Sequence, residues 1–108
     1  MTTEFIGGAW MPSVARVFPR GIRLKVSEEK LEFRLRYGLD RFFGPWFLEH
    51  SKVKLVFREP RGLNTYHTIG ILVSNDVWWS FYTYRPEEVL DCLEEFGYPI
   101  DPNARRNR

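Results

Sequence analysis

The sequence contains a single cysteine, Cys92, among 108 residues. One thiol cannot form an internal disulfide and cannot by itself assemble a thiolate metal site, so a disulfide-stapled secreted scaffold is excluded. No apolar run approaches the roughly 20 residues that a membrane-spanning helix needs. The N-terminus also lacks the basic and apolar segments of a secretory signal. We therefore expect a soluble chain in the reducing cytoplasm.

Residue patterns typical of catalysis are also scarce. The two histidines, His50 and His67, have no Cys, Asp or Glu at metal-ligand spacing, and Cys92 has no histidine near it in the sequence to form a Cys-His arrangement. The sequence has no phosphate-cradling glycine loop, nucleophile elbow or dinucleotide fingerprint. We therefore predict that the protein is not an enzyme and has no cofactor or metal.

Apolar and aromatic residues, by contrast, are plentiful. The chain is 44% hydrophobic, 17% aromatic and 28% charged, which is sufficient for one hydrophobic core at this length. Aromatic residues favour strands, so a mainly β fold is the first expectation.

Apolar residues at alternate positions mark several strands. Ile22 to Val26 and Leu31 to Tyr37 alternate with charged residues and predict an antiparallel hairpin. A second hairpin is predicted over residues 67–84, with a turn at 74–76. Further strands are expected at 14–18, at 53–58 and, as a bent edge strand, within 39–50.

The last element changes to helical spacing. Pro86 suits the first turn of a helix and Gly97 suits its end. Between them one stripe carries apolar residues, namely Val89, Leu90, Leu93 and Phe96. We predict a mainly β (β+α) fold, an antiparallel barrel or sandwich of six to seven strands with one C-terminal capping helix. Residues 1–13 would form an irregular N-terminal arm, residues 14–100 the domain and residues 101–108 a flexible basic tail.

The segment from Ile69 to Ile100 carries a resemblance. Its hairpin, the aromatic strand Trp78-Trp79-Ser80-Phe81-Tyr82-Thr83 and the helix that follows directly resemble the end of small bacterial pleckstrin-homology-like (PH-like) domains. The resemblance implies a PH-like barrel over residues 14–100, in which the last strand leads into a helix that closes one end. It also implies a non-catalytic interaction module.

The aromatic strand is the first candidate binding surface. Trp78, Tyr82 and Tyr84 share one face with Ser80, while Trp79 and Phe81 lie on the other face. One small core cannot easily hold both sets, so the first set, or an unpaired sheet edge, would bind a protein partner or a second copy of the chain. In the alternative, Trp10 and Phe5 of the N-terminal arm fold back over this face.

The second candidate surface is basic. Residues of the first hairpin and of the strand predicted at 53–58 are expected to share the solvent side of the sheet, where only Glu32 interrupts them: Arg23, Lys25, Arg34, Arg36, Lys54 and Arg58. Such a row could dock on an anionic membrane lipid or on nucleic acid. It could equally serve solubility and block edge pairing, as lysines and arginines on sheets often do.

Overall fold

A computed structural model describes residues 2–11, 15–42, 44–58, 67–74 and 77–105. Within these ranges the chain is mainly β, with seven antiparallel strands in one open sheet and one α-helix after the last strand. The predicted mainly β fold with a C-terminal helix is thereby confirmed. The elements are β1 (Thr3–Met11), β2 (Ala15–Val26), β3 (Lys30–Leu35), β4 (Trp46–Glu49), β5 (Leu55–Arg58), β6 (His67–Ser74), β7 (Val77–Thr83) and α1 (Pro86–Glu95).

The strand order is β4-β3-β2-β1-β7-β6-β5, which places β1 at the centre of the sheet. The prediction of an irregular arm is therefore wrong for residues 3–11. Gly7 and Gly8 suggested a loop, but here glycine permits close backbone approach, because a Cβ at Gly7 would collide with the carbonyl oxygen of Tyr82. Gly8 is paired with Tyr82, so the first strand lies directly beside the last one.

Strand β2 is longer than predicted. Proline and glycine at positions 19 and 21 were expected to end a short strand at 14–18, yet Ala15–Val26 is one strand. The pairing of β1 with β2 passes from Gly7 opposite Ile22 to Ala9 opposite Val17, so β2 bulges between these two rungs. A bulge accommodates residues that would otherwise interrupt the ladder.

Both predicted hairpins are present. Ile22–Val26 pairs with Leu31–Leu35, and β6 pairs with β7. Tyr37 does not continue β3 as predicted, because its φ is 63° and its side chain is 74% exposed. The bent segment at 39–50 contains a 3-10 helix at Leu39–Arg41, a cis Gly44–Pro45 bond and then the edge strand β4. The turn residues 75 and 76 lie outside the described residues.

The core lies between the inner face of the sheet and α1. Val89, Leu90 and Leu93 of α1 are fully buried, and Phe96 packs partly against the same cluster. The predicted apolar stripe of the helix is confirmed. At the start of α1, Glu87 forms an ion pair with Arg58 of β5, which ties the helix to the sheet.

The segment after α1 is ordered up to residue 105. Ile100 forms a parallel bridge with Val56, Pro102–Arg105 forms a 3-10 helix, and Ala104 is buried. The prediction of a flexible tail is therefore wrong for residues 101–105, because a small apolar side chain anchors this segment to the core. Residues 106–108 lie outside the described residues.

Candidate interaction surfaces

Four neighbouring strands, β5, β6, β7 and β1, bring large side chains to the outer face of the sheet. Cross-strand partners point to the same face, so the register defines three rungs. The rungs are Leu55–Leu72–Trp78, Phe57–Gly70–Ser80–Trp10 and Thr68–Tyr82–Gly8. We call their large members the outer apolar face: Trp10, Leu55, Phe57, Leu72, Trp78 and Tyr82.

Alternation along β7 separates this face from the core. Phe81 is fully buried, and the ring of Trp79 packs 5.1 Å from the ring of Phe33 in the interior. Trp78 and Tyr82 point to the opposite side and are only partly buried. The predicted division of the last strand into two aromatic faces agrees with this pattern.

The outer apolar face is built over small residues. Gly8, Gly70 and Ser80 are buried beneath it. The ring of Phe57 lies against Gly70, where an added Cβ would come 2.6 Å from Cε2 of the ring. Phe57 also meets Trp78 edge to face, with ring centroids 6.0 Å apart. The aromatic rings therefore lie on the sheet surface in fixed relative positions.

The members of the outer apolar face remain partly exposed to solvent. Trp10 joins the face from the neighbouring strand and does not fold over it, whereas Phe5 packs against the core on the other side. The expectation that these two residues cover the aromatic strand is therefore wrong. Tyr84 follows the end of β7 and is 57% exposed, beside Ile6 in a shallow depression.

The basic row contains two acidic side chains, of which Glu32 was predicted to interrupt the row and Glu4 was not predicted to lie there. Arg23 pairs with Glu4 at 3.4 Å, and Arg34 pairs with Glu32 at 2.8 Å. Lys25 stands opposite Glu4 on β1 and Glu32 on β3 in the strand register. The position of Glu4 on this face could not be predicted, because β1 was not predicted to pair with β2. Two carboxylates therefore offset part of the positive charge of Arg23, Lys25 and Arg34.

Two further basic residues, Lys54 and Arg58, do not extend this row. Lys54 precedes β5 at the far end of the sheet order, where its N–H donates to the Leu72 carbonyl. Arg58 points inward with a side chain only 9% exposed. The guanidinium of Arg36 lies over the ring of Tyr37, 4.8 Å from its centroid. Placing Lys54 and Arg58 on the basic face was wrong, because the strand that follows β4 joins the opposite edge of the sheet.

His50 connects two distant parts of the chain. Its ring nitrogens lie 2.7 Å from the Glu28 carbonyl oxygen and 3.1 Å from the Gly97 carbonyl oxygen. The ring stacks on Tyr98 with centroids 3.9 Å apart, and the Tyr98 hydroxyl donates to the Ser27 carbonyl at 2.7 Å. These contacts hold the end of α1 against the β2–β3 turn, so His50 has a structural role.

Two acidic side-chain groups near α1 are less readily ionised than usual. Burial, assisted by the charge of Cys92, raises the pKa of Tyr98 to about 12. Burial also raises the pKa of the Cys92 thiol, and this effect is larger than that of a hydrogen bond with the Thr3 side chain, which lowers the pKa. Since the thiolate is the nucleophilic form, this thiol is a poor nucleophile.

In the described part of the chain, no cluster of three His, Cys, Asp or Glu side chains could hold a metal ion. Across the same ranges, no helix is long and apolar enough to cross a membrane. None of the known protein-family models matches the sequence, and no curated protein is significantly similar to it.

Proposed function

We propose that this protein is a non-catalytic, cytoplasmic interaction module of the PH-like kind that binds a protein partner, or a second copy of itself, through the outer apolar face. The PH-like part of the proposal is supported by the strand order, in which β1 joins the two halves of the sheet, and by the helix that directly follows β7. Fold alone does not give function, so the binding role depends on the surface.

One observation carries the proposal: six large apolar or aromatic side chains lie in register on one outer face and none of them belongs to the core cluster. Tryptophan and tyrosine are the residues most enriched among those that dominate binding energy at protein interfaces. Large contiguous apolar patches are rare on the surface of monomeric proteins and often mark binding sites. Rings already held by Gly70 and by one another lose little freedom on binding, which favours affinity.

Docking on an anionic membrane or on nucleic acid through the basic face has weaker support. Arg23 and Arg34 each have a carboxylate partner, and Lys25 lies between Glu4 and Glu32. Release of counterions from phosphates requires a local excess of positive charge, and the two carboxylates reduce that excess on this face.

The proposal is tested by affinity capture from an extract of the source cell, with the wild type compared to two variants, Leu72→Lys and Trp78→Lys. Val77→Lys is the matched control, because Val77 is 38% exposed on the same hairpin but lies outside the outer apolar face. Sedimentation equilibrium at micromolar concentration measures self-association in parallel, and circular dichroism checks that each variant folds.

We expect the captured proteins, or the dimer, to be lost in both face variants and kept in the control. Capture and sedimentation behaviour that are identical in all four proteins would refute the proposal.

A further inference from the structure

The two ends of the open sheet differ in how their edges are occupied. At β5, the Val56 N–H donates to the Pro99 carbonyl at 2.7 Å, and the Asp101 N–H donates to the Val56 carbonyl at 2.8 Å. The segment after α1 therefore pairs with that edge. At the other end, β4 is the last strand of the sheet, and no strand within the described ranges lies on its far side.

The register identifies which backbone groups of β4 face outward. The His50 N–H donates to the Glu29 carbonyl at 2.9 Å, so these two residues form a hydrogen-bonded pair. Hydrogen-bonded and non-hydrogen-bonded pairs alternate along an antiparallel ladder. The next hydrogen-bonded pair is therefore Leu48 with Leu31, so the N–H and C=O groups of Leu48 point toward β3. Phe47 and Glu49 consequently direct their N–H and C=O groups away from β3. The edge offers two donors and two acceptors, in the spacing that another strand requires.

A groove of about 540 Å³ runs beside this edge, where the sheet fails to close between β4 and β6. Leu48 and Val73 line its apolar part, and Lys52 and Lys54 line its polar part. Both lysines are exposed. The two lysines outnumber Glu49, the acidic residue of the groove lining, so the charge presented to an occupant is positive.

We propose that the free edge of β4 binds an extended acidic segment of a partner protein by strand addition. The segment pairs with Phe47 and Glu49 through its backbone, turns an apolar side chain toward Leu48 and Val73, and places carboxylates beside Lys52 and Lys54. Main-chain pairing gives affinity in this mode of recognition, and alternate side chains give specificity. The inference rests on the proposed role in protein binding but uses a different surface from the outer apolar face.

Glu49 provides a sharp test of backbone pairing. Its φ of −65° is the value that proline requires, and its N–H is not part of the pairing with β3. Glu49→Pro therefore removes one outward donor while the fold remains, and Glu49→Ala removes the side chain while the donor remains. The contribution of charge is tested by a double variant that combines Lys52→Glu with Lys54→Glu. Its control is Lys25→Glu, which reverses a charge on the outer side of β2.

The probe is a synthetic seven-residue peptide library with the pattern Ser-Asp-X-Val-X-Asp-Ser, capped at both ends, where X is any residue except proline. Binding is measured by titration of the ¹⁵N-labelled full chain. We expect the amide signals of Phe47 and Glu49 to shift most. We expect affinity to fall at least tenfold in Glu49→Pro and in the lysine variant, and to change less than threefold in either direction in Glu49→Ala and Lys25→Glu.

Three results would each overturn the inference. The first is no binding at millimolar peptide, and the second is equal binding of a library that has lysine in place of aspartate. The third is an equal effect of Glu49→Pro and Glu49→Ala on affinity. If circular dichroism shows that Glu49→Pro does not fold, the lysine variant decides. Leu72→Lys should bind the library as the wild type does, so failure of this inference and failure of the outer apolar face remain distinguishable.

Discussion

Replacing Gly70 by alanine tests the packing of the outer apolar face. A Cβ at this position would lie 2.6 Å and 2.7 Å from two ring carbons of Phe57. Carbon atoms pack favourably at about 3.5 to 4 Å, so the ring must move by about 1 Å or more. Phe57 is partly exposed, and its ring can tilt toward solvent. The cost should therefore fall in the lower part of the range for overpacking, about 1 to 2 kcal/mol.

The assay is urea denaturation followed by tryptophan fluorescence, in a double-mutant cycle of Gly70→Ala with Phe57→Ala. If the ring is the obstacle, Gly70→Ala should cost less than about 0.5 kcal/mol once Phe57 has been truncated, because neighbouring sites couple. An equal cost of Gly70→Ala in both backgrounds would refute the reasoning, since the penalty would then come from the backbone.

Two further predictions concern α1 and the segment after it. Leu93→Ala should lower the free energy of unfolding by about 2 to 5 kcal/mol, because Leu93 is fully buried. Glu95 is exposed, so Glu95→Ala should change the free energy of unfolding by less than about 0.5 kcal/mol. Urea denaturation measures both values, and a small loss for Leu93→Ala would mean that the helix is peripheral. The pKa of Tyr98 is raised from 10 to about 12 in the folded protein. The neutral Tyr98 hydroxyl therefore contributes fully to stability below pH 10, and this contribution is lost as the pH rises toward 12. The pKa shift corresponds to roughly 3 kcal/mol of folding free energy. Denaturation between pH 8 and 11.5 should therefore show a steeper alkaline loss of stability for the wild type than for Tyr98→Phe, and parallel curves would contradict the assignment.

The regular hairpins and the helix could be predicted because each carries its own periodicity. Ile22, Leu24 and Val26 alternate with charged residues, and Val89, Leu90 and Leu93 follow helical spacing. The central strand β1 could not be predicted in this way. Its Gly7 and Gly8 are read locally as loop residues, and only the distant β7 shows why the backbone must come so close there.

The candidate surface was predicted only in part. Trp78 and Tyr82 could be placed on one face of β7 from alternation alone. Leu55, Phe57 and Leu72 could not be added, because cross-strand register decides which residues of separate strands become neighbours. The same limitation hid one acidic neighbour of the basic row, since Glu4 lies on β1, which the sequence did not predict to be a strand.

The pairing of β1 with β7 has a consequence for the order of events during synthesis. Gly8 can pair with Tyr82 only after the chain has been made as far as β7, so until then one side of β1 in the β1–β2 hairpin is unpaired. Contacts of such large sequence separation slow folding, and an unpaired strand edge is prone to aggregation until its partner arrives. We expect nascent or truncated chains that end before β7 to depend on chaperones, whereas the completed chain covers this edge itself.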